Sequence, residues 1–575
     1  MKEIMLGNHA VARGAYEAGV KVASAYPGTP STEIMEYMAT LPCPHVEWAP
    51  NEKVAAETAI GSSIAGGRAI CAMKHVGLNV AADPLFTAAY TGVNAGLLIC
   101  VADDPGMHSS QNEQDSRNYA RAAKVIMLEP SDSNECYIYA KNAFSLSEKF
   151  DLPVILRLST RVSHSQSLVE TGEREEFSKP YEKNPGKYVM MPAMAKRRHP
   201  ELENILTEVK NYAQDCEFNK IEYHDKKIGI ITSGITYQYA KEALGDKASY
   251  LKLGMVYPLP EKLISEFSKN VDTLYVAEEL DDFFEEYIKS LGIKVIGKEA
   301  FTKIGEYSAD LIRKVILKEE QKGTAPDEAL PARPPVMCAG CPHRGTFYAL
   351  KSLGLTVCGD IGCYTLGTLE PLASVDSCVC MGASIGLAHG MDKAIENSSK
   401  KTVAVLGDST FIHSGITGLI NVVYNKGNTT VIILDNSITG MTGHQDNPLT
   451  GKTIKGEPTK QVNLVMLCKA IGVENVRIAD PFNIEQFKKV VSEEIEKDEP
   501  SVIIAQRPCA LLKSVKYEGK MTVTDKCIGC KMCLKIGCPA IHFKDGHALI
   551  DKTQCNGCGF CQQICKLKAL GKEEA

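Results

Sequence analysis

The sequence predicts a multidomain α/β protein, with parallel sheets flanked by helices and a small cysteine-dense module at the C-terminal end. Three observations predict it. Three stretches alternate short apolar runs with helical segments, two charged segments separate them, and eight of the 21 cysteines fall between Cys527 and Cys565. With 575 residues, 44% of them hydrophobic, the chain can fill several cores, and about 150 residues per domain suggests three or four.

Residues 1–170 read as the first α/β domain, in which a strand-like run at 20–24 leads into the turn Tyr26-Pro27-Gly28-Thr29-Pro30. Residues 171–225 turn charged and read as an irregular connecting arm with little chemistry. Residues 226–318 form a smaller α/β domain with strands at 228–232 and 273–277. The charged, proline-rich stretch 319–335 is the expected linker. Residues 336–515 return to strand and helix alternation, with strands at 402–406 and 431–434. Residues 516–575 hold two short strand-like pieces, at 540–543 and 548–551, in a module too small to bury enough core without a metal.

The net charge of -6, with interspersed signs, offers no basic field for nucleic acid or anionic lipid. The N-terminal residues lack the pattern of a secretory signal, so a cytoplasmic location is expected. The apolar stretch 77–102 is broken by Asn79, Asp83, Pro84 and Asn94, which argues for buried strands and helices over a membrane span. In a reducing cytosol, so many cysteines point to metal ligation over a disulfide framework.

Cys527, Cys530 and Cys533 form CxxCxxC and are followed by Cys538; Cys555, Cys558 and Cys561 repeat the spacing and are followed by Cys565. Such a loop wraps three thiolates around one cubane, and in two-cluster ferredoxins the fourth cysteine reaches across to the other cluster. The expectation is one [4Fe-4S] cluster on Cys527, Cys530, Cys533 and Cys565, and a second on Cys538, Cys555, Cys558 and Cys561. Cys538 lies one residue further along than usual, and Lys566 stands where proline often follows the last cysteine. The competing reading is a pair of zinc ribbons, which three successive CxxC thiolates suit less well.

After the strand ending at Leu406 comes Gly407-Asp408-Ser409, and Asn436 lies 28 positions beyond Asp408. A right-handed βαβ crossover takes about this length and would bring both residues to the carboxyl ends of neighbouring parallel strands. There they would offer hard oxygen ligands to Mg2+ shared with phosphate oxygens. A plain turn-and-cap role is the alternative. The segment resembles the GDG…N motif of thiamine-diphosphate enzymes, which implies Asp408, Asn436 and the backbone oxygen of Ile438 as magnesium ligands. It also implies that Gly407 lets the backbone approach the diphosphate, with Ser409 standing where glycine is commonest.

Asn51-Glu52-Lys53-Val54-Ala55-Ala56-Glu57 begins a helix expected to run through Gly61 and Gly66-Gly67, with Asn51 as its N-cap. The segment is similar to the NExxAA stretch of thiamine-diphosphate enzymes, which implies that Glu52 hydrogen-bonds the cofactor's pyrimidine nitrogen. The turn at 26–33 is similar to the YPxTPS segment of the pyruvate:ferredoxin oxidoreductase superfamily, which implies Thr29 beside the substrate carboxylate and the thiazolium. The polar loop 103–115 follows a buried strand at 97–102 and reads as an active-site wall. Asn112 stands there at about the position of an arginine in the pyruvate enzymes, and His108 is open between an acid/base role and a satisfied loop histidine.

Cys338, Cys341, Cys363 and Cys509 resemble the ligands of a proximal cluster in related pyruvate enzymes, with packed thiols as the alternative. The chain as a whole resembles the alpha subunits of indolepyruvate ferredoxin oxidoreductases, within the 2-oxoacid:ferredoxin oxidoreductase superfamily. That resemblance implies a pyrimidine-binding domain, a transketolase-C-terminal-like domain, a diphosphate- and magnesium-binding domain and a two-cluster ferredoxin domain, in this order. It also implies CoA-dependent oxidative decarboxylation of an aryl pyruvate with reduction of ferredoxin, a smaller beta subunit as partner, and a dimer of heterodimers.

Overall fold

The computed structural model describes residues 2–320, 330–331 and 334–573, so most of the expected linker lies outside the described residues. The chain divides into two compact units, Met1–Ala325 and Pro326–Ala575.

In the first unit a seven-stranded sheet carries the strands in the order Met255–Tyr257, Ile126–Leu128, Val154–Ser159, Leu97–Asp103, Ala69–Lys74, Val22–Ala25, His45–Trp48. All pairings are parallel except that of Met255–Tyr257 with Ile126–Leu128. Every residue of Leu97–Asp103 and Ala69–Lys74 is buried, as near-continuous apolar runs require when helices cover both faces. The chain passes from Val22–Ala25 to His45–Trp48 on one side and then crosses to Ala69–Lys74 on the other. The strand order therefore reverses between Val22–Ala25 and Ala69–Lys74, which creates a crevice at their carboxyl ends.

A second sheet runs Thr273–Ala277, Ile228–Thr232, Ser249–Lys252, Lys220–Glu222, with only the last pairing antiparallel. The sequence reads this part as a separate smaller domain, yet it lends Met255–Tyr257 to the first sheet. One hydrophobic core runs through both, with Ile99 and Met127 sharing it with Val256, Phe267 and Phe284. The arm between the sheets is not irregular throughout, since Pro192–Tyr212 is a 21-residue helix.

The second unit holds a five-stranded, all-parallel sheet in the order Thr356–Cys358, Thr402–Gly407, Thr430–Asp435, Ser501–Gln506, Asn475–Ala479. The cysteine-dense segment carries two antiparallel pairs, Met521–Val523 with Leu570–Lys572 and Ile541–Lys544 with His547–Ile550. Its small core extends by borrowing Phe482 and Ile484 from the α/β part, and Phe482 stacks on Phe560 at 4.4 Å between ring centroids. Among the described residues no helix is long and apolar enough to cross a membrane.

Candidate functional site

In the second unit, Thr402–Gly407 and Thr430–Asp435 are adjacent parallel strands, and Asp408 and Asn436 directly follow them. The crossover expected from the 28-residue spacing is present. Asp408 is buried; one carboxylate oxygen accepts from the Ser409 amide at 2.7 Å and the other from the Ser437 amide at 3.1 Å. Burial, and then the neighbouring Asp435, push the Asp408 carboxyl up to about 8. A buried acid beside a second acid is a donor set that a cation would stabilise. Asn436 accepts from the Ile438 amide at 3.2 Å through its side-chain oxygen, and its carbonyl accepts from the Cys509 amide at 2.9 Å. Ser437, between them, adopts a φ of 60°, which turns the chain sharply around the Asp408 carboxylate.

Gly407 is required for a reason the sequence does not reveal: a Cβ there would meet the Tyr364 ring at 2.7 Å. Tyr364 in turn hydrogen-bonds the Ile361 carbonyl at 2.7 Å and the Thr410 hydroxyl at 2.9 Å. His343 lies 3.3 Å from the Asn436 amide nitrogen, and burial lowers its pKa to about 4, so it is neutral.

In the first unit, Glu52 is the buried first residue of the helix Glu52–Ile64, and Asn51 caps it by accepting from the Val54 amide at 2.9 Å. The helix stops at Ile64, short of the Gly66-Gly67 pair, and Gly66 at φ 96° begins the turn that follows. Gly77 packs directly on Glu52: a Cβ at 77 would lie 2.6 Å from a Glu52 carboxylate oxygen. Thr29 sits in the turn after Val22–Ala25, and its carbonyl accepts from the Ser109 hydroxyl at 3.3 Å. Asp104 organises the polar loop by accepting from the Ser109 amide at 2.9 Å, the Ser110 hydroxyl at 2.5 Å and the Thr160 hydroxyl at 2.7 Å. His108 pairs with Glu306 at 3.3 Å, which favours the satisfied-loop reading.

Cys527, Cys530, Cys533 and Cys565 line one cavity, together with apolar residues such as Ile528, Phe543 and Leu570. Burial raises the Cys533 thiol, and Cys527, Cys530 and Cys565 act on it as neighbours. Cys558 is likewise raised by burial, with Cys538 and Cys555 as its neighbours, and the same two act on Cys561. Cys533, from the first run, also acts on Cys561 of the second. Cys363 has Cys338 and Cys509 around it, and Cys341 has Cys338 and Cys363. Among the described residues, no three His, Cys, Asp or Glu side chains form a group that could hold a single metal ion.

Residues 13–228 match the family described as pyruvate flavodoxin/ferredoxin oxidoreductase, thiamine diphosphate-binding, and residues 360–505 match the C-terminal thiamine-pyrophosphate-binding domain of thiamine pyrophosphate enzymes. The indolepyruvate oxidoreductase subunit IorA of Archaeoglobus fulgidus is 42% identical over 99% of this chain and 97% of its own. The chain belongs to the indolepyruvate oxidoreductase IorA family. The IorA subunit of Pyrococcus horikoshii is 39% identical over 99% and 97% of the two chains. A more distant relative, the 2-oxoglutarate synthase subunit KorA of Archaeoglobus fulgidus, is 27% identical over 48% of this chain and 87% of its own. This IorA-family protein is a thiamine-diphosphate-dependent 2-oxoacid:ferredoxin oxidoreductase.

Two residues of the first unit escape the sequence reading. Lys74 ends a strand otherwise made of Ala, Ile, Cys and Met, and His75 opens the next helix. The signal was a basic pair closing a buried apolar run, legible only as a charged terminus of an apolar segment.

Proposed function

We propose that this chain is the large subunit of an enzyme that converts an aryl pyruvate and coenzyme A into an arylacetyl-CoA and carbon dioxide, with reduction of two ferredoxins. The observation that carries the reading is the convergence of Asp408 and Asn436 at the carboxyl ends of adjacent strands, in a chain alike over its whole length to proteins named indolepyruvate oxidoreductase.

When bound, thiamine diphosphate supplies the carbon nucleophile and the electron sink that decarboxylation of a 2-oxoacid needs. In this reading Asp408, Asn436 and the backbone oxygen of Ile438 hold Mg2+ against the diphosphate. The burial of Asp408 beside a second acid, Asp435, supports it. Glu52 hydrogen-bonds the pyrimidine nitrogen and is kept in place by Asn51 at its helix start and by Gly77 against its carboxylate. Thr29 faces the reacting carboxylate.

Cys527, Cys530, Cys533 and Cys565 would hold one [4Fe-4S] cluster, and Cys538, Cys555, Cys558 and Cys561 a second, which would supply the electron path to ferredoxin. Four cysteines ringing one cavity support a cluster of several atoms over a zinc ribbon. Cys338, Cys341, Cys363 and Cys509 are the candidate ligands of a third cluster, next to the magnesium site by way of the Cys509–Asn436 hydrogen bond. A smaller partner subunit, a dimer of heterodimers and a cytoplasmic location complete the proposal, and the word subunit in the relatives' names supports the first.

The test is an anaerobic assay of the complex purified with its smaller subunit, with CoA and ferredoxin, comparing indolepyruvate, phenylpyruvate and pyruvate. Aryl pyruvates should give the highest kcat/KM, and Glu52→Gln should abolish turnover. Preference for pyruvate would sink the substrate assignment, and unchanged turnover by Glu52→Gln would sink the assignment of the glutamate.

A further inference from the structure

Among the described residues, five Lys or Arg side chains are buried in the first unit: Arg68, Lys74, Arg117, Arg157 and Lys252. Four of them sit against a carboxylate, namely Arg68 on Glu148, Arg117 on Asp115 and Glu278, Arg157 on Asp103 and Glu129, and Lys252 on Glu135. Lys74 makes no ion pair among the described residues. Its ammonium donates to neutral oxygens only, the Ser109 carbonyl at 2.6 Å and the Ser109 hydroxyl at 3.3 Å. A buried ammonium with no carboxylate in contact is costly, and an anion arriving beside it would offset that cost.

The position of Lys74 says which anion. It is the last residue of Ala69–Lys74, beside Val22–Ala25, so it stands at the point where the strand order reverses and open α/β sheets take their ligands. Its Cβ would lie 3.3 Å from a Cβ at Gly28, and the Ser109 hydroxyl that it contacts also reaches the carbonyl of Thr29. Lys74 therefore packs against the turn that carries Thr29, and stands three residues before Gly77, the glycine that packs on Glu52. Ser109 is exposed, so only a surface loop covers the ammonium. Its neighbour His75 is fully buried, and neither ring nitrogen has a hydrogen-bond partner among the described residues, a second uncompensated polar group at this strand end.

We propose that the Lys74 ammonium binds the carboxylate of the 2-oxoacid substrate, with the Thr29 turn and Ser109 as the walls of that subsite. The proposal rests on the 2-oxoacid reading given above. Lys74 is a substrate-binding residue, and its charge selects 2-oxoacids over the corresponding neutral carbonyl compounds. Burial brings its pKa down to about 8, with Asp104 the nearby acid opposing that fall. The carboxylate of a bound substrate would oppose it further.

The experiment uses the complete two-subunit complex, loaded with its cofactors, as wild type, Lys74→Met and Lys74→Arg. Steady-state kinetics with phenylpyruvate are paired with calorimetric titration of 3-phenyllactate, which carries the carboxylate but cannot be decarboxylated, and thermal melting checks the fold. Lys74→Met should raise both KM and the 3-phenyllactate Kd by about ten- to a hundredfold, the scale of one charge-assisted hydrogen bond, with kcat much less affected. Lys74→Arg should restore part of the binding. KM and Kd within about twofold of wild type in a folded Lys74→Met complex would overturn the proposal while leaving the 2-oxoacid reading intact. A wild-type complex that turns over no 2-oxoacid and binds no 3-phenyllactate would overturn both.

Discussion

The Arg344 guanidinium donates to the carbonyl oxygen of Ile536 at 2.9 Å, across 192 residues of sequence. The same side chain, itself buried, also holds the carbonyls of Gly537, Met337 and, at 3.2 Å, Cys338. One cation thus ties the Cys338 loop to the turn before Cys538. Asn556 adds a further tie by donating to the Ala339 carbonyl at 3.1 Å.

Replacing Arg344 with Met should leave buried carbonyls unsatisfied, at about 1–3 kcal/mol each. Limited proteolysis of the purified complex should then release the segment from residue 516 onward much faster than in wild type. Lysine lacks the planar fork and should restore little. Equal proteolysis of all three proteins would show that Arg344 does not hold the module, leaving that role to contacts such as the Phe482–Phe560 stack and the Asn556 tie.

In the first unit, Arg117 joins the two sheets. Its guanidinium pairs with Asp115 at 2.5 Å and Glu278 at 2.6 Å, and it lies over the rings of Phe283 and Phe284. Arg117→Ala strands two buried carboxylates and should cost about 3–5 kcal/mol. Denaturant unfolding followed by tryptophan fluorescence reports it locally, since Trp48, the only tryptophan, lies in the first sheet. A loss below about 1 kcal/mol would mean that water reaches these carboxylates.

Glu279 gives a pH dependence. Burial raises its carboxyl from the ordinary 4.5 to about 7, against the opposing Tyr307 amide, which donates to it at 2.8 Å. The folded state therefore holds this proton more tightly than the unfolded state. The contribution is fully present below about pH 4.5 and is lost as pH rises towards 7, a change of about 3 kcal/mol. Glu279→Gln keeps an acceptor for the Tyr307 amide without the ionisation. Its melting temperature should match wild type near pH 4.5 and exceed it at pH 8. Parallel melting curves across that range would refute the assignment.

Gly77→Ala tests the placement of Glu52. The added methyl would meet the Glu52 carboxylate at 2.6 Å, so the glutamate must shift. Turnover of the preferred 2-oxoacid should fall at least about tenfold, because positions near reacting atoms tolerate little displacement. The melting temperature should change little, and unchanged kcat would mean that Glu52 does not act at the cofactor.

Much of this arrangement was legible in the sequence because spacing encodes it. The 28 residues from Asp408 to Asn436 are one crossover between neighbouring strands, and the two CxxCxxC runs lie together in one small cysteine-dense module. What stayed hidden depends on contacts between distant segments. Nothing in Gly407 announces Tyr364, nothing in Gly77 announces Glu52, and Lys74 looks like the charged end of an apolar strand until its lack of a carboxylate partner is seen. The membership of Met255–Tyr257 in the first sheet was hidden for the same reason, since three apolar-flanked residues carry no mark of the sheet they will join.

That short strand has a consequence for how the protein is made. Until it arrives, Ile126–Leu128 is an open sheet edge able to pair with another chain. The ribosome must add all the residues from Glu129 to Tyr257 before the edge can close. At about 5–20 residues per second, the nascent chain spends on the order of ten seconds in that exposed state.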